Sequence, residues 1–258
     1  MSQDNDSDLE KVKARVKTSH NITDLAHKLD FYDQWAATYD QDVTTLQYRA
    51  PTLAVECLIE ALKVPPSEAL ILDVACGTGL VGAQLKARGY VHLDGIDGSP
   101  GMLAQARAHC VYQNLQLCMV GQESLPSPEG TYDAVLIVGA LSEGQVPYSA
   151  IPELLHVTKP GGLLCLTTRT NPSNLSYKIS MEAMLDMLEQ AGAWERLVSM
   201  PVDQWELATS ESEAVSGPSG SPDNPSFISG IIYLYRRSQQ PIQAQFQRPW
   251  PQPRPPQD

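Results

Sequence analysis

A short glycine-rich segment follows an apolar run of the sequence and leads into a helical pattern. The apolar run, Ala69–Ala75 (ALILDVA), is typical of a buried strand. Gly77 and Gly79 in the segment after it permit backbone conformations that other residues resist, and they let a ligand come close to the chain. With Gly82 they form a Gly-x-Gly-x-x-Gly pattern, which alone is a weak indication of dinucleotide binding. We expect both glycines, and Thr78 between them, to bind a ligand.

Two carboxylates flank this loop. Asp97 ends the next predicted strand, twenty residues beyond Gly77, where a carboxylate can accept two hydrogen bonds from a ribose diol. Asp73 lies four residues before Gly77, where its charge opposes a pyrophosphate but suits an ammonium group. S-adenosylmethionine carries an ammonium group, a sulfonium and an adenosine, and no phosphate. The two carboxylates therefore favour this cofactor, and a nicotinamide enzyme is the weaker alternative.

Four segments resemble those of the class I S-adenosylmethionine-dependent methyltransferases. Residues 71–80 (ILDVACGTGL) resemble the first motif of the family, and residues 94–103 (DGIDGSPGML) resemble its second-strand signature. Residues 159–164 (KPGGLL) resemble the turn before its fifth strand. Residues 31–40 (FYDQWAATYD) are similar to the entry helix of the menaquinone-biosynthesis type. The resemblance covers about residues 31–168 and implies S-adenosylmethionine as cofactor and S-adenosylhomocysteine as product.

The resemblance also implies further cofactor contacts. Gly98 and Met102 correspond to positions beside the adenosine, and Gln122 and Glu123 correspond to contacts with the adenine edge. Val138 corresponds to a position near the sulfur.

In the entry segment, Arg49 is expected to pair with the methionine carboxylate, and Tyr39 is expected to close over it. The resemblance thus extends the predicted cofactor site from the glycine loop to residues before it and after it.

No residue of the sequence stands out as catalytic. Methyl transfer from a sulfonium is an in-line displacement for which the protein supplies proximity, alignment and a dry site. A base is needed only when the acceptor arrives protonated. Trp35, Tyr48 and Trp205 are candidates for an acceptor pocket or for the core. A catalytically silent protein that binds the cofactor and a partner is the alternative to an enzyme.

Charge and composition limit the acceptor. The chain has 258 residues, and its 18 basic and 30 acidic residues give a net charge of −12. Such a charge repels phosphate backbones, so a small-molecule or protein acceptor is expected and a nucleic acid is not. The five cysteines lack metal-ligand spacing, and we expect no metal site. The sequence lacks a signal peptide or an apolar run that would span a membrane, so we expect a cytoplasmic monomer, with entry to the nucleus possible.

The alternation of strands and helices predicts an α/β fold. The resemblance implies a Rossmann-like, seven-stranded, mostly parallel sheet with an antiparallel last strand and helices on both faces. The predicted strands are Ala69–Ala75, Val91–Asp97, Leu115–Val120, Tyr132–Gly139, Leu163–Thr168, Gln204–Thr209 and Ile228–Arg236.

One domain is predicted over residues 21–237. Its first part, about residues 21–49, is expected to form a helical lid over the cofactor. Residues 1–20 are acidic and polar, and we expect them to be flexible. Residues 211–225 indicate a mobile loop, because they are rich in Ser, Gly and Pro. Residues 238–258 are rich in Pro and Gln, which predicts a disordered tail that a partner of Pro-rich segments could bind.

Overall fold

A computed structural model describes residues 2–213 and 226–239. Its helices are α1 (Ser2–Asn21), α2 (Leu25–Trp35), α3 (Tyr39–Thr45), α4 (Ala50–Ala61), α5 (Leu80–Ala87), α6 (Pro100–Ala108), α7 (Ile151–Val157) and α8 (Leu175–Gln190). Its strands are β1 (Leu70–Val74), β2 (His92–Asp97), β3 (Asn114–Leu117), β4 (Tyr132–Ile137), β5 (Thr158–Arg169), β6 (Trp194–Leu207) and β7 (Phe227–Arg237). Helices α5 and α6 connect β1 to β2 and β2 to β3, and α7 precedes β5, whereas the described chain between β3 and β4 contains no helix.

The strands form one seven-stranded sheet in the order β3-β2-β1-β4-β5-β7-β6. The five strands β1 to β5 are parallel to one another, whereas β7 runs antiparallel to both β5 and β6. This arrangement confirms the predicted Rossmann-like fold. The carboxyl ends of β1 to β5 all lie at one edge of the sheet, which is where ligands bind in open sheets of this kind.

Both faces of the sheet are buried. On β1, Ile71 belongs to the apolar cluster that includes Leu58 of α4 and Leu85 of α5. Leu72 belongs to the cluster that includes Leu154 of α7 and Leu185 of α8. Because neighbouring side chains of a strand point to opposite faces, one apolar run fills two cores, and this is why the strands read as continuous apolar segments.

The sixth strand is longer than predicted. The sequence predicts Gln204–Thr209, but β6 begins at Trp194 and pairs with β7 along most of its length. It is an edge strand, and its first two thirds are largely half-buried or exposed, so polar residues such as Glu195 and Asp203 alternate with apolar ones. A search for fully buried strands misses such a segment.

The amino-terminal segment also differs from the prediction. Residues 1–20 are predicted to be flexible, but Ser2–Asn21 form α1. Val12 and Val16 lie one turn apart on this helix and are buried in an apolar cluster with Trp35 and Leu207. Two valines in a charged segment are a weak signal, and only the aromatic surface that they contact makes the helix part of the domain.

The predicted tail and the predicted loop are described only in part. Ser238 donates its backbone N–H to the carbonyl of Ala193 at 3.0 Å, so the ordered chain continues past the predicted boundary. Residues 240–258 of the predicted tail and residues 214–225 of the predicted loop lie outside the described residues. Among the residues that are described, no helix is both long and apolar enough to cross a membrane.

Candidate functional site

A cleft lies at the carboxyl ends of β1, β2 and β4 and is covered by α2 and α3. It encloses about 750 Å³, counting its open mouth. Six of the predicted cofactor residues line it, namely Tyr39, Gly77, Asp97, Gly98, Met102 and Val138. We refer to it as the cofactor cleft.

Asp97 is held by two backbone donors. The N–H of Gly77 donates to Oδ2 and the N–H of Ser99 donates to Oδ1, both at 2.8 Å. Burial nevertheless raises the pKa of Asp97 above its ordinary value. Each carboxylate oxygen has two lone pairs, so each oxygen can accept one more hydrogen bond. The side chain therefore presents two fixed acceptors to the cleft, which is the arrangement that a ribose diol requires.

Two residues of the predicted glycine-loop site turn away from the cleft. Asp73 accepts a hydrogen bond from the hydroxyl of Tyr112 at 2.5 Å, and burial raises its pKa to about 7. Thr78 donates its hydroxyl to Asp40 of α3 at 2.5 Å. Neither residue lines the cleft, and Gly79 begins α5 with a φ of 99°, a value that favours glycine. These three residues shape the loop, and their contact with a cofactor stays a prediction.

The cation of the cleft is not the one predicted from the sequence. Arg49 is exposed, and its Nη1 donates to the carbonyl of Gln204 at 3.3 Å. Lys28 of α2 lines the cleft instead, and burial, followed by the charge of Arg169, lowers its pKa to about 8. The sequence gave no signal for Lys28, because a lysine in a helix with polar neighbours is normally an exposed residue.

The two residues predicted at the adenine edge also lie outside the cleft. Gln122 and Glu123 are exposed, and Glu123 accepts the N–H of Met119 at 2.8 Å. Met119 and the neighbouring Val120 line the cleft in their place. The third strand ends at Leu117, three residues before the predicted end, so the chain turns away earlier than the sequence pattern indicated.

The lid is closed over the cleft by specific contacts. Asp33 of α2 accepts the hydroxyl hydrogen bond of Ser99 at 2.8 Å, at the start of α6. Leu29 packs so closely on Gly98 that a Cβ at Gly98 would lie 2.9 Å from it. Gln145, in the segment after β4, donates to the hydroxyl of Tyr32 at 2.7 Å. The lid therefore contacts the segments that follow β2 and β4.

A second cavity adjoins the cleft, and we refer to it as the inner cavity. It encloses about 480 Å³, counting open space, and four residues line both spaces: Tyr32, Tyr39, Gly139 and Gln145. Its other walls include the three aromatic residues predicted for an acceptor pocket or the core, which are Trp35, Tyr48 and Trp205. Besides Gln145 and the tyrosine hydroxyls, its polar side chains are those of Ser19, His20, Arg169 and Glu206, four residues that the sequence did not predict for this site.

The described residues contain no group of three or more His, Cys, Asp or Glu side chains that could hold a metal ion. The groups that line the cleft are instead the carboxylate of Asp97, the amine of Lys28, apolar side chains and the backbone of the glycines. Such a set suits an organic cofactor with hydroxyl groups and a carboxylate.

Comparisons with known proteins agree with the fold. Residues 71–162 match a family described as a methyltransferase domain, and the chain belongs to the S-adenosylmethionine-dependent methyltransferases. It is 68% identical over 204 residues to methyltransferase-like protein 27 of Homo sapiens, covering 79% of this chain and 83% of that protein.

Two more distant likenesses cover most of the chain. A demethylmenaquinone methyltransferase of Clavibacter sepedonicus is 27% identical over 80% of this chain and 87% of its own length. A methyltransferase of Haloferax volcanii, solved in complex with the methyltransferase activator Trm112, superposes with a TM-score of 0.58. That likeness, at 15% identity over 80% of this chain and 97% of the other, concerns the fold alone.

Proposed function

We propose that this chain binds S-adenosylmethionine in the cofactor cleft and transfers its methyl group to a small-molecule acceptor. The observation that carries the proposal is the Asp97 carboxylate, which two backbone N–H groups hold in the cleft with acceptor capacity to spare. A ribose diol satisfies two such acceptors, and the donors that fix them need not move when it binds.

The rest of the cleft fits the other parts of this cofactor. Met102, Leu29 and Met119 offer apolar surface for adenine. Lys28 offers a positive charge for the methionine carboxylate, in place of the predicted Arg49. Val138 and Gly139, which follow β4, lie where the cleft meets the inner cavity. The bound cofactor supplies an activated methyl group, and these residues orient it and exclude water.

Three observations support a small acceptor. The inner cavity is covered by the lid, so a macromolecule would have to displace α1 to α3 to reach it. The net charge of −12 opposes a nucleic acid. The relative from Clavibacter sepedonicus is named for a small-molecule substrate, demethylmenaquinone. A protein side chain is the alternative acceptor.

We propose further that the protein acts as a monomer in the cytoplasm and has access to the nucleus. A partner that recognises Pro-rich segments would bind its tail.

Calorimetry tests the cofactor. We expect S-adenosylmethionine and S-adenosylhomocysteine to bind and NAD not to bind. Asp97→Ala should weaken binding by about 1.5–3 kcal/mol, the usual value of hydrogen bonds to a charged group. Asp94→Ala is the matched control, because Asp94 lies on the same strand and accepts from Asn114 and Tyr132 outside the cleft. Tight binding of NAD with no response to S-adenosylhomocysteine would refute the proposal.

Tritium labelling tests the transfer. Purified protein and labelled cofactor are added to cell extract, which is then separated into metabolite, protein and RNA pools. We expect the label in the metabolite pool. Label found mainly in the protein or RNA pool would show that the acceptor belongs to that class instead. Cofactor binding without transfer to any pool would favour the catalytically silent alternative.

A further inference from the structure

We propose that the inner cavity binds the methyl acceptor, that the acceptor is a planar aromatic molecule with a hydroxyl nucleophile, and that Glu206 is the catalytic base. This inference rests on the proposed function, because it assigns the acceptor side of the same site. Three features of the cavity carry it: an unpartnered buried carboxylate, a neighbouring guanidinium and aromatic walls.

Glu206 is the unpartnered carboxylate. It lies at the carboxyl end of β6, is 8% exposed and lines the inner cavity. Among the hydrogen bonds and ion pairs of residues 2–213 and 226–239, none involves its carboxylate, although the buried carboxylates of Asp42, Asp73 and Asp97 all have donors. Its oxygens border the open space of the cavity, so a donor on the bound molecule would supply the hydrogen bond that none of those described residues gives.

The surroundings of Glu206 suit a proton acceptor. Burial raises its pKa to about 7, and the charge of Arg169 on β5 opposes that rise. The other titratable groups of the cavity are His20 of α1 and the hydroxyls of Tyr32, Tyr39 and Tyr48. Burial raises the pKa of each of these three tyrosines, so they stay protonated, and Glu206 is the group among them that changes charge near neutral pH.

Arg169 supplies a positive charge to the same cavity. Its Nη1 lies 2.6 Å from Nε2 of His20. Burial, and then the charge of Arg169, lowers the pKa of His20 to about 2, so this partner is neutral and leaves the guanidinium charge uncancelled. An oxygen that loses its proton to Glu206 would be stabilised by this charge, whereas an ammonium acceptor would be repelled by it. The pair therefore favours a hydroxyl over an amine.

The walls of the cavity favour a flat acceptor. Trp35 and Tyr39 lie edge to face with ring centres 4.9 Å apart, and Tyr48 and Trp205 lie edge to face at 6.4 Å. Aromatic faces and edges of this kind pack well against another ring. Gly139 separates the cavity from the sulfur end of the cleft without a side chain, so a bound ring can approach the methyl group.

The proposed step balances in atoms and charge. The acceptor O–H bond breaks and its proton moves to the Glu206 carboxylate. The acceptor oxygen forms a bond to the methyl carbon while the methyl–sulfur bond breaks and its electron pair stays on sulfur. One positive and one negative charge disappear together, which a buried site of low dielectric favours. The step needs no further reactant.

Binding to the complex with S-adenosylhomocysteine is the first test, with phenol and catechol as probes and with benzylamine, which is an ammonium ion at neutral pH, and cyclohexanol as comparators. We expect calorimetry to show that the two phenols bind at least tenfold more tightly than the comparators. Their affinity should rise as the pH passes upward through about 7, because the ionised carboxylate is the acceptor of their hydrogen bond. Glu206→Gln should abolish that pH dependence, because an amide does not titrate.

Methyl transfer to catechol is the second test. Glu206→Gln should lower kcat by 10²- to 10⁴-fold, the usual contribution of a general base, while binding of S-adenosylhomocysteine is unchanged. Glu195→Gln, at the exposed start of the same strand, is the matched control. Arg169→Gln should move the rising limb of the pH–rate profile to higher pH, because Arg169 lowers the pKa of Glu206.

The outcomes separate this inference from the proposed function. If S-adenosylhomocysteine binds but the phenols do not, or if benzylamine binds better than phenol, this inference is overturned and the cofactor assignment stands. If Glu206→Gln retains the pH dependence and the kcat of the natural protein, Glu206 is not the base. If S-adenosylhomocysteine does not bind to the natural protein, the proposed function is overturned and this inference with it.

Discussion

The hydroxyl of Thr78 donates a hydrogen bond to the carboxylate of Asp40 at 2.5 Å, which ties the glycine loop to the lid. Asp40 lies in the first turn of α3, next to Tyr39, which lines the cofactor cleft. The loop that is expected to contact the cofactor and the helix that covers it are thus joined directly. Cofactor binding at the loop can therefore order the lid.

The first prediction concerns this link. We expect residues 21–49 to gain protection from amide hydrogen exchange when S-adenosylhomocysteine binds, because lid segments commonly order around a ligand. Asp40→Ala should reduce that gain, since the lid then loses its bond to Thr78. Asp30→Ala, an exposed carboxylate on α2, is the control and should leave the gain unchanged. Equal protection with and without ligand in the natural protein would contradict the idea of a lid.

The second prediction compares the two cations proposed for the methionine carboxylate. Lys28→Met should weaken binding of S-adenosylhomocysteine by about 1.5–3 kcal/mol, because a charge-assisted hydrogen bond is lost in the cleft. Arg49→Met should change the affinity little, because Arg49 is exposed and bonds to Gln204. Calorimetry on the two variants decides between them. A larger effect at Arg49 would restore the assignment made from the sequence.

The sheet could be predicted because its central strands are buried on both faces. Residues 69–75 and 132–139 are nearly uninterrupted apolar runs, and the structure places β1 and β4 within them. The edge strand β6 and the helix α1 could not be predicted in the same way. Their few apolar residues are buried only by distant segments, such as the contact of Val16 in α1 with the cluster that contains Leu207.

The residues that line the cofactor cleft could be predicted where backbone geometry fixes them. Gly77 and Asp97 are joined by a hydrogen bond between two adjacent strand ends, and this spacing is visible in the sequence. The residues that the lid and the distant strands contribute to the two cavities could not be predicted in this way. Lys28 and Glu206 are far from that loop in sequence, and only the packing of α2 and the length of β6 bring them to the two cavities.

The third prediction concerns Gly139, which has a φ of 75°. A Cβ there would lie 2.1 Å from the hydroxyl oxygen of Tyr48 and 3.3 Å from its Cζ. Gly139→Ala should therefore lower the free energy of unfolding through the collision and through backbone strain of about 1–3 kcal/mol. Adding Tyr48→Phe should recover most of the part due to the collision, because the nearest ring atom is then 3.3 Å away, a tight contact that a small shift of the ring relieves. Urea unfolding of the two single variants and the double variant measures the coupling, and strict additivity would show that no collision occurs.

The fourth prediction concerns the pH dependence of stability. The pKa of Glu206 rises from 4.5 to about 7 on folding, because burial disfavours the charged form. Between these values the folded state binds more protons than the unfolded state, so this group lowers the free energy of unfolding as the pH rises. The loss is absent below pH 4.5 and complete above pH 7, where it amounts to about 3 kcal/mol.

Glu206→Gln removes this titration while it keeps the size of the side chain. We expect the variant to match the natural protein in urea unfolding at pH 5 and to be more stable than it at pH 8, both without ligand. Asp73, whose pKa also rises to about 7, titrates in both proteins and cancels from the comparison. Glu195→Gln should show no such change with pH, because Glu195 is exposed at the far end of β6. If the free energies of unfolding of Glu206→Gln and the natural protein differ by the same amount at both pH values, the pKa of Glu206 is not raised and its carboxylate has a partner in solution. The inner cavity then lacks the unpaired acceptor on which its proposed chemistry depends.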